Sequence, residues 1–181
     1  MNIPNHNFTE REKSIVKLFN ETELSNIKTF LNIGFRNWND LRNHWWIKIC
    51  EENNIDWKIV EIFEKNVKDA LISGCPKDKI FEGNILNVDS LPETDCIFFW
   101  HGWEHLLKKD AVDTIKKLEL KYKYLVFGMP LGEEPQGEIY GNPHEKHISS
   151  WTSNEWKSMG YNVIEVHDGR KYSHITVYKF I

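Results

Sequence analysis

The sequence predicts a single α/β domain with a mostly parallel sheet, helices on both faces and an antiparallel hairpin at the C-terminal end. Three observations lead to this prediction. At 181 residues the chain is long enough for one compact domain and too short for two ordinary ones. Apolar segments of strand length alternate with amphipathic segments of helix length. The last two apolar segments are separated only by a short turn, which makes the final strand antiparallel to its neighbour.

The elements follow in a regular order along the single domain of 1–181. An N-terminal helical segment covers 1–28, and its helix of 9–24 begins at a capping box formed by Thr9 and Glu12. The apolar runs that predict a seven-stranded sheet comprise 29–34, 57–63, 79–83, 95–100, 124–127, 161–167 and 172–180. The helices between them comprise 39–52, capped by Asn39 or Asp40, then 64–73, 103–118 and 153–159. The predicted hairpin turn consists of Asp168, Gly169, Arg170 and Lys171.

Composition narrows the class of protein. The chain is 40% hydrophobic and 13% aromatic, which supplies a sizeable core and argues against disorder. A net charge of −4 disfavours a nucleic-acid or membrane-surface binder, so a small-molecule substrate is expected. The N-terminus is polar and no run of about 18 apolar residues occurs, which predicts neither a signal peptide nor a membrane span. Three separated cysteines predict buried free thiols and a cytoplasmic location.

Ligands in such a sheet bind at the carboxyl ends of the strands, so the residues that end each strand are candidates for a site. After the first strand, Gly34 allows close approach of a ligand to the backbone, although a simple turn glycine explains Gly34 better when that residue is taken alone. Glu61 stands in an apolar run, where a carboxylate needs donors, and at a strand tip it could accept hydrogen bonds from both ribose hydroxyls. Asn84 offers an amide to an adenine edge or serves its own turn.

The fourth strand and a long loop supply the remaining candidates. His101 follows the strand directly, where an imidazole can face a cleft, and Trp100 or Trp103 could stack on a ligand. The stretch 129–151 has no periodicity, and a loop of that length inside a compact domain usually serves function. We expect it to fold over the same rim as a lid or substrate wall.

Two histidines of that loop, His144 and His147, have the separation of paired metal ligands. No cysteine lies close by and the acidic neighbours are ambiguous, so no metal site is predicted.

At these segments the chain resembles the class I S-adenosylmethionine-dependent methyltransferases, over roughly 29–180. The likeness lies in 60–67, in 83–86 with 90–92, in 95–100 followed by Glu104-His105-Leu106, and in the loop segments 136–138, 141–144 and 147–151. It implies a Rossmann-like fold and S-adenosyl-L-methionine as cofactor, with Glu61 on the ribose, Gly34 at the methionine end and Asn84 at the adenine. The cofactor-binding residues that it implies are Asn32, Gly34, Glu61, Ile62, Asn84, Ile85 and Trp100.

The first loop departs from the family pattern. Where the family has D-x-G-x-G-x-G, this chain has Asn32, Gly34, Arg36 and Trp38, so only the first glycine remains. We expect the side chains of Arg36 and Trp38 to occupy space that the methionine part of the cofactor needs.

Two functions follow from these observations. The first is methyl transfer to a small-molecule or glycan-type acceptor, with His101 as general base and His144 and His147 as further candidates for that role. The alternative is a non-catalytic methyltransferase-like domain that binds a protein partner or forms a homodimer. The altered first loop supports the alternative, as do eight tryptophans, some of which could form an exposed interface.

Overall fold

The computed structural model describes residues 7–21, 23–42, 44–167, 169 and 171–181. Seven strands form one sheet, and they are β1 Thr29–Ile33, β2 Asp56–Glu61, β3 Ile80–Glu82, β4 Cys96–Trp100, β5 Tyr124–Pro130, β6 Asn162–Val166 and β7 His174–Phe180. The helices are α1 Glu10–Glu21, α2 Trp38–Leu41, α3 Trp45–Glu52, α4 Glu64–Ile72, α5 Lys108–Lys121 and α6 Ser153–Ser158. Short 3₁₀ turns occupy Glu23–Asn26, Val88–Ser90, Trp103–His105 and Pro143–Glu145.

The strand order is β3-β2-β1-β4-β5-β7-β6. The first five strands run parallel to one another, whereas β7 is antiparallel to both β5 and β6. The predicted seven-stranded, mostly parallel sheet with a C-terminal hairpin is therefore confirmed. Two residues of the predicted hairpin turn, Asp168 and Arg170, lie outside the described residues.

Helices cover both faces of the sheet, as predicted, because successive residues of the central strands point to opposite faces. On one face Phe30 and Phe98 pack with apolar residues of α1, α3 and α4. On the other face Leu31 and Ile97 pack with apolar residues of α5 and α6. The strand order reverses between β1 and β4, which leaves a crevice at their carboxyl ends.

Capping residues define two helix starts. The predicted capping box of α1 is confirmed, because Glu12 N donates to Thr9 Oγ1 at 3.3 Å and Thr9 N donates to Glu12 Oε2 at 2.7 Å. The cap of α2 is Asn37, whose Oδ1 accepts from Asn39 N at 2.9 Å, so the predicted cap at Asn39 or Asp40 is wrong, because both residues lie within α2. The predicted helix of 39–52 is two helices, α2 and α3.

The predicted helix of 103–118 also begins later than expected. A 3₁₀ turn at Trp103–His105 comes first, then Leu106 and Leu107 are extended, and α5 begins at Lys108. Because of this break, the side chains of the turn do not follow the helical spacing of α5.

The tryptophans contradict one expectation. Seven of the eight are buried and Trp100 is half-buried, so none provides the exposed aromatic interface that the non-catalytic alternative expected. The three cysteines, Cys50, Cys75 and Cys96, are buried and free, as predicted. None of the helices among the described residues is long and apolar enough to cross a membrane.

Candidate functional site

A cavity of about 580 Å³ lies at the carboxyl ends of β1, β2 and β4, within the size range of small-molecule sites. Ten of the residues that the sequence suggested for a site line it, and they are Asn32, Gly34, Glu61, Ile62, Asn84, Ile85, Trp100, His101, His144 and His147. The suggestion that Trp103 stacks on a ligand is wrong, because its indole is fully buried in the core and does not line the cavity. The sheet thus brings together residues that are up to 115 positions apart in the sequence, from Asn32 to His147.

The loop after β1 forms one wall. Gly34 has a φ of +76°, a conformation that favours glycine, and its N–H donates to the Val60 carbonyl at 2.7 Å. Asn32 is buried, and its Nδ2 donates to the Gly34 carbonyl at 2.7 Å. The amide of Asn32 therefore fixes the turn at the position where the family has an aspartate.

Glu61 at the end of β2 lies beside this loop and is only 3% exposed. Its Oε2 accepts a hydrogen bond from Phe35 N at 2.8 Å, and its Oε1 accepts one from Phe63 N at 2.7 Å. Burial raises the pKa of Glu61 to about 7, although these two backbone donors act in the opposite direction. The carboxylate does not point into bulk water, and it connects the loops after β1 and β2.

The two large residues of the first loop leave the cavity open. Trp38 is buried in the core, with its ring 6.3 Å from that of Trp57, and it does not line the cavity. Arg36 lies at the rim, where its guanidinium pairs with Glu145 at 2.8 Å and its side chain is 53% exposed. The expectation that Trp38 occupies cofactor space is wrong, because its indole packs against the sheet beneath the loop.

The segment after β3 supplies a further part of the wall. Asn84 Oδ1 accepts from Leu86 N at 2.9 Å, so this side chain serves its own turn. Its Nδ2 group has no hydrogen-bond partner among the described residues and remains able to donate to a ligand.

The end of β4 forms the opposite wall. The ring of Trp100 stacks on that of Phe98. The indole of Trp100 also lies directly against the β5 backbone, because a Cβ atom added at Gly128 would come within 2.1 Å of its ring. His101 adopts a φ of +54°, which is uncommon for a residue other than glycine, and its N–H donates to the Gly128 carbonyl at 2.7 Å. Strained backbone of this kind is often found at functional sites.

Behind His101 lies a second buried carboxylate, Glu104, which is 2% exposed. Its Oε1 is 3.3 Å from His101 Nδ1 and 4.0 Å from His147 Nε2. Burial by itself would raise the pKa of Glu104, but the neighbouring imidazoles of His101 and His105 outweigh it and lower that pKa. One ligand atom each of Glu104, His105 and His147 lies within 4.8 Å of the other two.

The long loop lies over this wall, and it begins at Leu131 and not at Met129 as predicted, because β5 extends to Pro130. Ile148 N and Ser149 N both donate to the Glu104 carbonyl, at 2.8 and 3.0 Å. Within the loop, Gln136 Nε2 donates to the Glu145 carbonyl at 2.6 Å. These bonds hold the loop against the turn of Trp103–His105, in the position expected of a substrate wall.

The two histidines of the loop have different surroundings. His147 lies beside Glu104 and His105, whereas the side chain of His144 is exposed and lies outside that cluster. The cluster thus joins His147 to two residues of the turn after β4 and does not include His144. Sequence reasoning also missed Arg11 of α1, which lines the cavity and donates to the Tyr172 carbonyl at 3.1 Å.

The chain matches no protein-family model and no curated protein at a significant level. It is similar to several solved structures. The methyltransferase domain of bacterial CtHen1 is 15% identical, with a TM-score of 0.58, over 93% of this chain and 97% of that chain. Human N-acetylserotonin methyltransferase in complex with S-adenosylmethionine is 16% identical, with a TM-score of 0.58, over 92% of this chain and 51% of that enzyme.

A third similar structure is the N-terminal domain of EvdMO1, solved in the presence of S-adenosylhomocysteine and D-fucose. It is 10% identical, with a TM-score of 0.63, over 98% of this chain and 84% of that domain. This chain spans nearly all of the bacterial domain but about half of the human enzyme. Together the comparisons and the sheet order show that the chain has the Rossmann-like fold of the class I S-adenosylmethionine-dependent methyltransferases.

Proposed function

We propose that the chain transfers a methyl group from S-adenosylmethionine to a small-molecule or glycan-type acceptor. One observation carries the proposal: a cavity of nucleoside size opens at the carboxyl ends of β1, β2 and β4, with the buried Glu61 in its wall. The similar structures solved with S-adenosylmethionine or S-adenosylhomocysteine support this cofactor.

Glu61 is suited to hold the ribose. Each carboxylate oxygen accepts one backbone N–H and still has a second lone pair for a hydroxyl donor. Gly34 brings the backbone of the first loop close to the methionine end, and the free Nδ2 group of Asn84 donates to the adenine. Arg36 lines the cavity at its rim, where its guanidinium is held by Glu145.

The chemistry needs an acceptor atom aligned with the sulfonium methyl and a base for its proton. S-adenosylmethionine would supply the methyl group from its sulfonium sulfur, which would leave as a neutral thioether when an acceptor oxygen takes the methyl carbon. His101 takes the proton of the hydroxyl. Its Nδ1 faces Glu104 Oε1 at 3.3 Å, so the carboxylate favours the tautomer in which Nε2 is the basic nitrogen.

The proposed class of acceptor rests on the net charge of the chain and on one of the similar solved structures. A net charge of −4 gives no long-range attraction for a phosphate backbone, although one similar structure is a small RNA methyltransferase. The neighbour solved with D-fucose supports a sugar-type acceptor. A small molecule fits the cavity volume in either case.

Isothermal titration with S-adenosylmethionine and S-adenosylhomocysteine tests the proposal. We expect saturable binding of both by the intact chain. Replacing Glu61 with Ala should weaken it by about 1–3 kcal/mol, because a charged acceptor of the ribose hydroxyls is lost. Glu82→Ala is the matched control, since Glu82 ends the neighbouring strand, pairs in register with Glu61 and is exposed.

The non-catalytic alternative predicts a different outcome. It expects no binding of either compound at millimolar concentration, and that result would overturn the enzymatic proposal. Two of its supports are weaker in the structure, because the tryptophans are not exposed and Trp38 lies away from the cavity.

A further inference from the structure

Glu104 is a buried carboxylate whose negative charge is only partly balanced by the groups around it. Its side chain is 2% exposed, and neither oxygen accepts a hydrogen bond of good geometry from the described residues. His101 approaches Oε1 at 3.3 Å, but nothing comparable faces Oε2. A carboxylate buried in this way is costly unless a cation or a set of donors compensates it.

The two imidazoles beside it are oriented like metal ligands. His105 Nδ1 lies 3.2 Å from the Lys146 carbonyl, and His147 Nδ1 is hydrogen-bonded to the Glu134 carbonyl. A carbonyl can only accept, so each Nδ1 carries a proton, and Nε2 is the ring nitrogen that can offer its lone pair to a metal. Metal-binding histidines commonly donate their second ring N–H to a carbonyl in this manner.

From these contacts we propose that Glu104, His105 and His147 bind one divalent transition-metal cation. The donor set of two imidazole nitrogens and one carboxylate suits Zn²⁺ or Co²⁺ better than Mg²⁺ or Ca²⁺, which prefer oxygen ligands alone. It leaves coordination positions open, and both histidines line the cavity, so a ligand in the cavity can reach the cation.

The spacing of the ligand atoms is close to what coordination requires. They lie within 4.8 Å of one another, whereas bonds of about 2.1 Å place ligand atoms roughly 3–4 Å apart. Movement of the side chains by about 1 Å closes the difference. Ile148 N and Ser149 N already donate to the Glu104 carbonyl, so the loop that carries His147 is held beside Glu104.

A competing explanation is that Glu104 is balanced by protonated histidines alone. That arrangement predicts no affinity for a metal beyond that of scattered surface side chains. The two explanations therefore differ in a direct binding measurement, which does not depend on the cofactor or on methyl transfer.

The experiment is a titration of the chelator-treated, full-length chain with Co²⁺, followed by its visible d–d absorption, and with Zn²⁺ by calorimetry. We expect one cation per chain, with a Co²⁺ spectrum of low-symmetry nitrogen and oxygen coordination. Single changes of His105→Gln, His147→Gln and Glu104→Gln should each weaken binding at least about tenfold. His144→Gln is the matched control, a cavity histidine of the same loop outside the cluster, and it should bind as the unmodified chain does.

Two results would overturn the proposal: no stoichiometric Co²⁺ or Zn²⁺ binding by the unmodified chain, or equal binding by all three ligand variants. Circular dichroism identifies a variant that fails to fold, and the remaining variants then decide. Titration of S-adenosylhomocysteine in the presence of chelator separates this site from the proposed function, since cofactor binding should persist without metal.

Discussion

Glu61 and Glu104 are buried to nearly the same extent, 3% and 2% exposed, at two ends of one candidate site. Glu61 accepts a backbone hydrogen bond on each oxygen, and burial still raises its pKa to about 7. Glu104 accepts no hydrogen bond of good geometry from the described residues. Burial acts on Glu104 in the same direction, but the imidazoles of His101 and His105 lower its pKa overall.

The difference shows what each carboxylate depends on. The backbone N–H groups that hold Glu61 are fixed parts of the folded chain, so Glu61 stays bonded to the loops after β1 and β2. Imidazole nitrogens can coordinate a metal, so the surroundings of Glu104 can hold a cation. We therefore expect removal of Glu61 to affect folding and cofactor binding, and removal of Glu104 to affect metal binding.

The largest expected effect is on stability. Glu61→Ala leaves Phe35 N and Phe63 N without their acceptor, and each lost bond costs about 1–2 kcal/mol. The free energy of unfolding, measured by urea denaturation, should fall by about 2–4 kcal/mol. Glu82→Ala should change it by less than about 0.5 kcal/mol. A loss below about 1 kcal/mol for the Glu61 variant would mean that the carboxylate does not fix these loops.

The next effect is the pH dependence of cofactor binding. With a pKa of about 7, Glu61 is roughly one-tenth ionised at pH 6 and nine-tenths at pH 8. Ribose hydroxyls are donors and favour the ionised form, so affinity for S-adenosylhomocysteine should rise close to tenfold over this range. Calorimetry at both pH values measures it. Glu61→Gln should remove the dependence, and persistence in that variant would assign it to another group.

A smaller effect is expected for Glu104→Gln. No hydrogen bond of good geometry is lost, so in metal-free protein at pH 8 the free energy of unfolding should change by less than about 1 kcal/mol. Thermal and urea denaturation beside Glu61→Gln test the contrast directly. An equal loss in the two variants would remove the distinction between the two carboxylates.

The smallest effect concerns the rim. Arg36 and Glu145 join the first loop to the long loop, but the Arg36 side chain is 53% exposed, so solvent screens the pair. A double-mutant cycle with Arg36→Ala and Glu145→Ala should give a coupling of about 0.5 kcal/mol. A coupling above about 2 kcal/mol would show that this bridge is a structural lock and not a weak contact of the rim.

Much of the fold could be predicted from the sequence, because long apolar runs such as 95–100 and 124–127 admit few alternatives to buried strands. Glu61 could be found for the same reason, since a carboxylate stands out in an apolar strand. The mostly parallel sheet follows from the alternation of elements, and the terminal hairpin follows from the short turn between the last two apolar segments. The order of the strands within the sheet comes from the structure alone.

The Glu104 cluster could not be found in that way. The predicted helix of 103–118 would place Glu104 and His105 about 100° apart on a helix, whereas the 3₁₀ turn before α5 directs both toward the cavity wall. Their partner His147 is 42 positions beyond His105, and no spacing rule connects residues so far apart. Trp38 was misplaced for a related reason, because the sequence does not show that α2 turns its indole into the core.

A crystal structure of the chain grown with S-adenosylhomocysteine tests the central claim most directly. We expect the nucleoside in the cavity at the ends of β1, β2 and β4, with its ribose hydroxyls within hydrogen-bond distance of Glu61. An empty cavity at saturating compound, or a nucleoside bound away from Glu61, would contradict it.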